Sequence, residues 1–206
     1  MNDKFFELPI DKQQDIINAA LEVFAKNEYK HAITDDIAAK AGISKGLLFY
    51  YFHNKKSLYT YLFEYTRDFL EQEIINKDYV QFEDFFELLA YVASMKYRIF
   101  MKNPYLLEFS EKVIMKSDEE AGSEIRKQIS DYTNIGLMKF FEHIDYTKFR
   151  EGTDPIKIMR MLIWMAQGYL MEQTQAGKKL NLDEIMKEFE DWVTCFKKIA
   201  YKEEWQ

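Results

Sequence analysis

The chain's 206 residues suit one large domain, or a small domain joined to a larger one, and a composition 48% hydrophobic and 17% aromatic with three prolines and seven glycines points to an all-α protein. The formal net charge of −7 argues against a general polyanion-binding surface, and the single cysteine, Cys195, excludes an intrachain disulfide framework and fits a reducing cytoplasm. No apolar stretch approaches the ~18 residues of a membrane span, and the first residues lack a signal-peptide run, so a cytoplasmic protein is expected.

Pro9 and Asp11 mark the start of an amphipathic first helix, with Ile16, Ala20 and Phe24 four apart on its buried face and Asn27 as a left-handed cap. Thr34 offers an N-cap hydroxyl to a second helix, whose buried side is Ile37, Ala38 and Ala41 and which Gly42 stops. Ser44 caps a third helix, with Leu48 and Phe52 facing inward and Lys45, Gly46, Phe49 and Tyr50 outward. Asn54 caps a fourth, starting near Lys55, running to about Asn76 and burying Leu58, Leu62, Tyr65 and Phe69.

From Gln81 the pattern becomes that of a second helical domain. It predicts a helix over 82–102, one opened by Pro104 to about Met115, one capped by Ser117-Asp118 to about Asp145, and one opened by Asp154-Pro155 and ended by Gly177. Asp183 opens the last, where Ile185, Phe189, Trp192, Phe196 and Ile199 repeat at 4-3-4-3 spacing. The expected division is residues 1–56 and residues 57–206.

The charge is unevenly placed. Residues 1–56 carry eight lysines and eight acids, so the excess of acid lies wholly in 57–206, and the stretch from Ile37 to Phe63 holds Lys40, Lys45, Lys55 and Lys56 with no acid. Screening confines fields to about 8 Å at physiological salt, so a local patch on an acidic protein still meets phosphates. Within that stretch two short helices flank Gly42-Ile43, the form of a helix-turn-helix whose second helix enters a DNA major groove. Thr34 and Ser44 are candidates for phosphate contact at helix N-termini, Lys45 for a guanine edge, and Gly46 for close backbone approach. Tyr50 and Tyr51 reach phosphates through their hydroxyls, and Lys55 pairs with the DNA backbone.

Thr34, Asp36-Ile37-Ala38, Ala41-Gly42, Ser44-Lys45-Gly46, Phe49-Tyr50-Tyr51-Phe52 and Lys55, with Ala19-Ala20 and Phe24 before them, resemble the tetracycline-repressor (TetR) family of transcriptional regulators over roughly residues 12–60. The resemblance implies about nine helices: an N-terminal three-helix DNA-binding domain and a larger C-terminal helical domain for ligand binding and dimerisation. It also implies a homodimer built on the last two helices, a double-stranded DNA operator as partner, and repression relieved by a small molecule. Three positions depart from the pattern: Glu28 replaces the usual Gly after the first helix, Leu47 a hydroxyl or small residue, and Phe49 the first Tyr of the aromatic run. Leu47 and Phe49 place apolar side chains among the DNA contacts and favour thymine methyl groups.

In the larger domain Tyr97, Phe100, Phe109, Met138, Trp164 and Met165 are the candidate walls of an apolar effector pocket. Met159, Leu162, Ile163, Ala166 and Leu170, with Ile185, Phe189, Trp192 and Phe196, form two apolar helix faces suited to a four-helix dimer interface. A monomer burying one face of each would give the same pattern, and the resemblance tips the choice to a dimer. His31, His53 and His143 are too far apart in sequence for a metal motif, no cofactor is expected, and Cys195 reads as a buried inert thiol. No nucleophile–base or metal constellation supports an enzyme. The alternative to a DNA-reading regulator is a coactivator-type module acting through a protein partner.

Overall fold

The computed structural model describes residues 2–75, 79–115, 125 and 141–206. Among them are eight α-helices: α1 (Ile10–Lys26), α2 (Thr34–Lys40), α3 (Lys45–Phe52), α4 (Lys55–Ile75), α5 (Phe85–Lys102), α6 (Pro104–Met115), α7 (Pro155–Gln175) and α8 (Leu182–Ala200). The described residues contain no β-strand, only an isolated antiparallel bridge between Phe149 and Tyr201. The all-α expectation therefore holds. The predicted helix from Ser117 lies almost wholly outside the described residues, and at its far end Phe141 is in a 3-10 turn and residues 142–145 are turn and irregular backbone rather than α-helix.

The chain divides into two compact units, Met1–Glu71 with Asn103–Thr133, and Gln72–Lys102 with Asn134–Gln206. This differs from a division at residue 56. The fourth helix stays with the first unit as far as Glu71, and α6 returns from later in the chain to pack on α1.

In the first unit, Ile16, Ala20 and Phe24 of α1, Ile37 of α2, Leu48 and Phe52 of α3, Leu58 and Leu62 of α4 and Phe109 of α6 are all almost fully buried. The apolar periodicity of each helix thus faces one core. Aromatic rings join the elements edge to face: Phe24 to Tyr59 at 4.9 Å, and Tyr59 to Phe109 at 5.2 Å between centroids. Helix ends show two corrections. Asn27 is extended rather than left-handed, and its side-chain amide donates to the Val23 carbonyl. Ile33, not Thr34, stands at the N-cap of α2 without a side-chain bond, and Thr34 is nearly buried as the first helical residue.

The second unit is organised around Asp84. One carboxylate oxygen caps α5, accepting from the N–H of Phe86 at 3.0 Å and of Glu87 at 3.1 Å. That cap explains why α5 begins at Phe85, three residues later than the periodicity suggests. The other oxygen lies 3.2 Å from Lys148 Nζ and 3.6 Å from Lys197 Nζ, with the Asp84 side chain only 7% exposed. Beside it Tyr201 is fully buried, its hydroxyl accepting from the Phe85 N–H. Main-chain bonds from Arg150 N to Ala200 O and from Lys202 N to Lys148 O fasten the end of α8 to the 146–150 segment.

Phe85, Phe86, Leu88, Met95, Phe149, Ile158, Met159 and Leu162 form the apolar body of this unit, with Phe189, Trp192 and Phe196 packed on it from α8. The last helix is capped by Asn181, two residues before the expected Asp183. Cys195 is exposed rather than buried, because it lies on the opposite side of α8 from Val193 and Ala200. No helix among the described residues is long and apolar enough to cross a membrane.

Burial alone would push the Asp84 carboxyl up, but the Glu87 N–H bond, the Lys148 hydrogen bond and the charges of Lys197 and Lys148 outweigh it and hold it below the usual carboxylate range. A depressed carboxyl stabilises the fold fully above the ordinary range, and that contribution is lost as pH falls through it toward the folded-state value. Asp84→Ala is therefore expected to lower stability by about 3 kcal/mol at neutral pH, leaving Lys148 without its buried partner. It should also flatten the acid limb of the stability profile below about pH 4. Urea unfolding across a pH series measures both.

Candidate nucleic-acid interface

The interface is built on α2, the turn at Gly42 and α3. Gly42 has φ +66°, the left-handed region, and an N–H donated to Ala39 O; the Ile43 N–H then donates to Ala38 O. This reverses the chain in two residues. Ser44 is extended and its Oγ accepts from Leu47 N at 3.1 Å, capping α3 as expected and leaving the hydroxyl proton free to donate. Leu48 and Phe52 are fully buried, which pins the inner face of the helix.

The other end of α3 is closed by a tight turn. His53 has φ +63° and ψ −48°, and the Asn54 N–H donates back to Phe52 O at 2.7 Å. This is a γ-turn, a strained conformation costing about 1–3 kcal/mol. Asn54 then caps α4, its Oδ1 accepting from Ser57 N at 2.8 Å as expected. The turn lets α3 stop at eight residues and α4 leave in a new direction.

An N-terminal brace, unseen in the sequence, closes the same end. Asn2 N donates to Tyr51 O at 2.7 Å and its side-chain amide to Tyr50 O at 3.4 Å, taking up carbonyls at the helix C-terminus. Phe5 is fully buried against Tyr51, Phe52 and Tyr61. The adjacent Phe5-Phe6 pair in an otherwise charged segment was the available signal.

The predicted contact residues divide accordingly. Lys45, Gly46, Leu47 and Tyr50 are exposed, Leu47 at 37% and Tyr50 at 52%. Phe49 is partly buried. Tyr51 is 6% exposed, because three residues after Leu48 it falls on the inner face; it is a core residue here rather than a surface hydroxyl. Thr34 is likewise too buried to present its hydroxyl broadly. Lys45 Nζ forms an exposed ion pair with Asp35 Oδ2 at 2.7 Å across the turn. Lys55 Nζ lies 4.8 Å from the Tyr29 ring centroid and donates to Lys30 O at 3.2 Å, tying the start of α4 to the α1–α2 loop. A Cβ on Gly46 would meet only Ser44 Oγ, at an ordinary 3.9 Å, so nothing within the fold requires glycine there.

The other predicted site residues lie on several elements. Phe109 is in the core of the first unit, while Tyr97 and Phe100 belong to α5 in the second; Met138 lies outside the described residues. Tyr97 instead donates to Asp183 Oδ1 at 2.6 Å. Trp164 and Met165 stand exposed on α7, Trp164 at 62%, whereas Met159 and Leu162, expected at an interface, are buried within the second unit. The reason is that α7 is apolar on both sides. No group of three or more His, Cys, Asp or Glu among the described residues is arranged to hold a metal.

These features define a helical protein with a braced helix-turn-helix. Residues 16–62 match the family described as bacterial regulatory proteins, tetR family. The chain is 29% identical over 154 residues to the fatty acid metabolism regulator protein of Bacillus subtilis (strain 168), covering 74% of this chain and 78% of that protein. Among solved structures it shares its fold with the fatty acid degradation regulator FadR of Bacillus halodurans, with a TM-score of 0.68, 21% identity, and 87% of this chain and 96% of that one covered. It is also similar to FadR of Bacillus subtilis in complex with stearoyl-CoA, with a TM-score of 0.64, 24% identity and the same coverage. The match at residues 16–62 and the likeness to these regulators support a TetR-type DNA-binding transcriptional regulator.

Gly46→Ala should leave stability unchanged or raise it by up to about 1 kcal/mol, since alanine is the better helix former, while weakening DNA binding through loss of close approach. Gly42→Ala should instead cost about 1–2 kcal/mol, because its backbone is left-handed. Thermal unfolding and DNA titration of the two variants separate the roles.

Proposed function

We propose that this regulator is a repressor, binding a palindromic operator as a homodimer and released by a long-chain fatty acyl-CoA. The observation that carries the DNA-reading part is the outer face of α3. Its N-terminus is capped by Ser44, its exposed positions are Lys45, Gly46, Leu47 and Tyr50, and the fold itself does not need glycine at Gly46. Helix N-terminal residues are those that meet base edges in this motif. Gly46 brings the backbone near the duplex, the Ser44 hydroxyl meets phosphate, and Lys45 leaves Asp35 for a guanine edge.

The dimer reading is supported by the second apolar side of α7. Trp164, Met165 and Met171 are exposed there beside Gly168, which brings no side chain, and Ile199 is exposed on α8. A run of large apolar side chains at helical spacing is costly in water and is stabilised by a second copy. Ile163, Ala166 and Leu170, with Ile185, Phe189, Trp192 and Phe196, are partly buried. The effector reading rests on the name of the Bacillus subtilis relative and on the stearoyl-CoA complex of the similar structure.

The test is selection of bound duplexes from a random library, followed by release with stearoyl-CoA, free stearate or coenzyme A alone. Expected are an inverted repeat with half-site centres about 34 Å or a multiple apart, and release by the acyl-CoA alone. Lys45→Ala should weaken selected sites more than random DNA. Trp164→Glu should give a monomer with greatly reduced operator affinity. Enrichment without dyad symmetry, or a Trp164→Glu dimer with full affinity, contradicts the proposal. Failure of any duplex to enrich would favour action through a protein partner.

A further inference from the structure

We infer that Leu47 is a specificity-determining residue that reads the C5-methyl group of a thymine in each half-site. This rests on the DNA-reading function proposed above. An exposed leucine is by itself unremarkable. Here, however, the polar alternatives on the same face are few. Between Ser44 and His53 the helix carries one charged side chain, Lys45, and its ammonium is held 2.7 Å from Asp35. Phe49, the other apolar substitution in the pattern, is partly buried, and Leu48, Tyr51 and Phe52 face the core. Leu47 and Tyr50, three residues apart on one stripe, are thus the large uncharged side chains that α3 presents outward.

The position of Leu47 is also fixed. Its N–H is bound by Ser44 Oγ at 3.1 Å, which sets the first turn of the helix, and its neighbour Gly46 has no side chain to keep the duplex away. A leucine in the major groove has no hydrogen bond to offer. Against guanine, cytosine or adenine edges it leaves donors and acceptors without water or partner, which costs affinity. The thymine methyl is the one apolar group that the groove presents, and contact with it buries both surfaces. Leu47 therefore selects thymine by favourable apolar contact and rejects the other bases by desolvation.

The experiment uses the full chain and its selected operator, with each thymine replaced in turn by deoxyuridine, symmetrically in both half-sites. That substitution removes one methyl and leaves every hydrogen-bonding group. One position should weaken binding about fourfold per half-site, as expected for loss of one buried methyl-sized group. In Leu47→Ala the thymine and uracil operators should bind equally, with unchanged thermal stability, whereas Leu47→Met should keep the preference. No position sensitive to methyl removal, or a sensitivity that persists in Leu47→Ala, overturns the inference while leaving DNA reading intact. Absence of any selected operator overturns both.

Discussion

An eight-residue helix has too few internal hydrogen bonds to persist in water, where helices shorter than about 12–15 residues are marginal. The recognition helix α3 therefore exists only because the rest of the first unit holds it. Leu48, Tyr51 and Phe52 are buried beneath it, Ser44 caps its start, and Asn2 takes up carbonyls at its end. The strained His53 turn is tolerated for the same reason: the helix on one side and the Asn54-capped start of α4 on the other leave the chain no alternative path. Since the buried contacts fall on the inner face, the side chains of Lys45, Leu47 and Tyr50 stay exposed, and nothing within the fold requires glycine at Gly46.

The second unit is fastened differently. Apolar packing forms its body, but Asp84, Lys148, Lys197 and the buried Tyr201 join the start of α5 to the end of α8 through charge and hydrogen bonds. Such a cluster is demanding, because each group needs its partner. It is also directional, which helps set how the last helix lies against α5 within the unit.

Much of this was legible in sequence. Helix limits for α3, α6 and α7 follow from Ser44, Pro104 and the Asp154-Pro155 pair, since caps and prolines act locally. Burial on α1 follows from spacing, as it does for Leu58 and Leu62 of α4, whereas Tyr65 and Phe69 are only partly buried and Thr66 is buried instead. The failures have a common origin. Periodicity says which residues share a face but not which face meets the core, so on the doubly apolar α7 Met159 and Leu162 were expected outside and Trp164 and Met165 inside, the reverse of what is found. Tyr51 was misplaced because aromatic and hydroxyl character pull in opposite directions. Asp84, Asn2 and Phe5 act across long sequence separations that no local pattern carries. Phe109 shows the same limit, since α6 packs with α1.

The pairing of Lys45 with Asp35 bears on how such a protein searches a chromosome. On the reading proposed for Lys45, its ammonium is already occupied when the helix meets irrelevant duplex, and an exposed ion pair worth at most about 1 kcal/mol is cheap to give up where a guanine edge is offered instead. On that reading the acid beside the lysine shortens the time lost on wrong sites more than it weakens the hold on the right one.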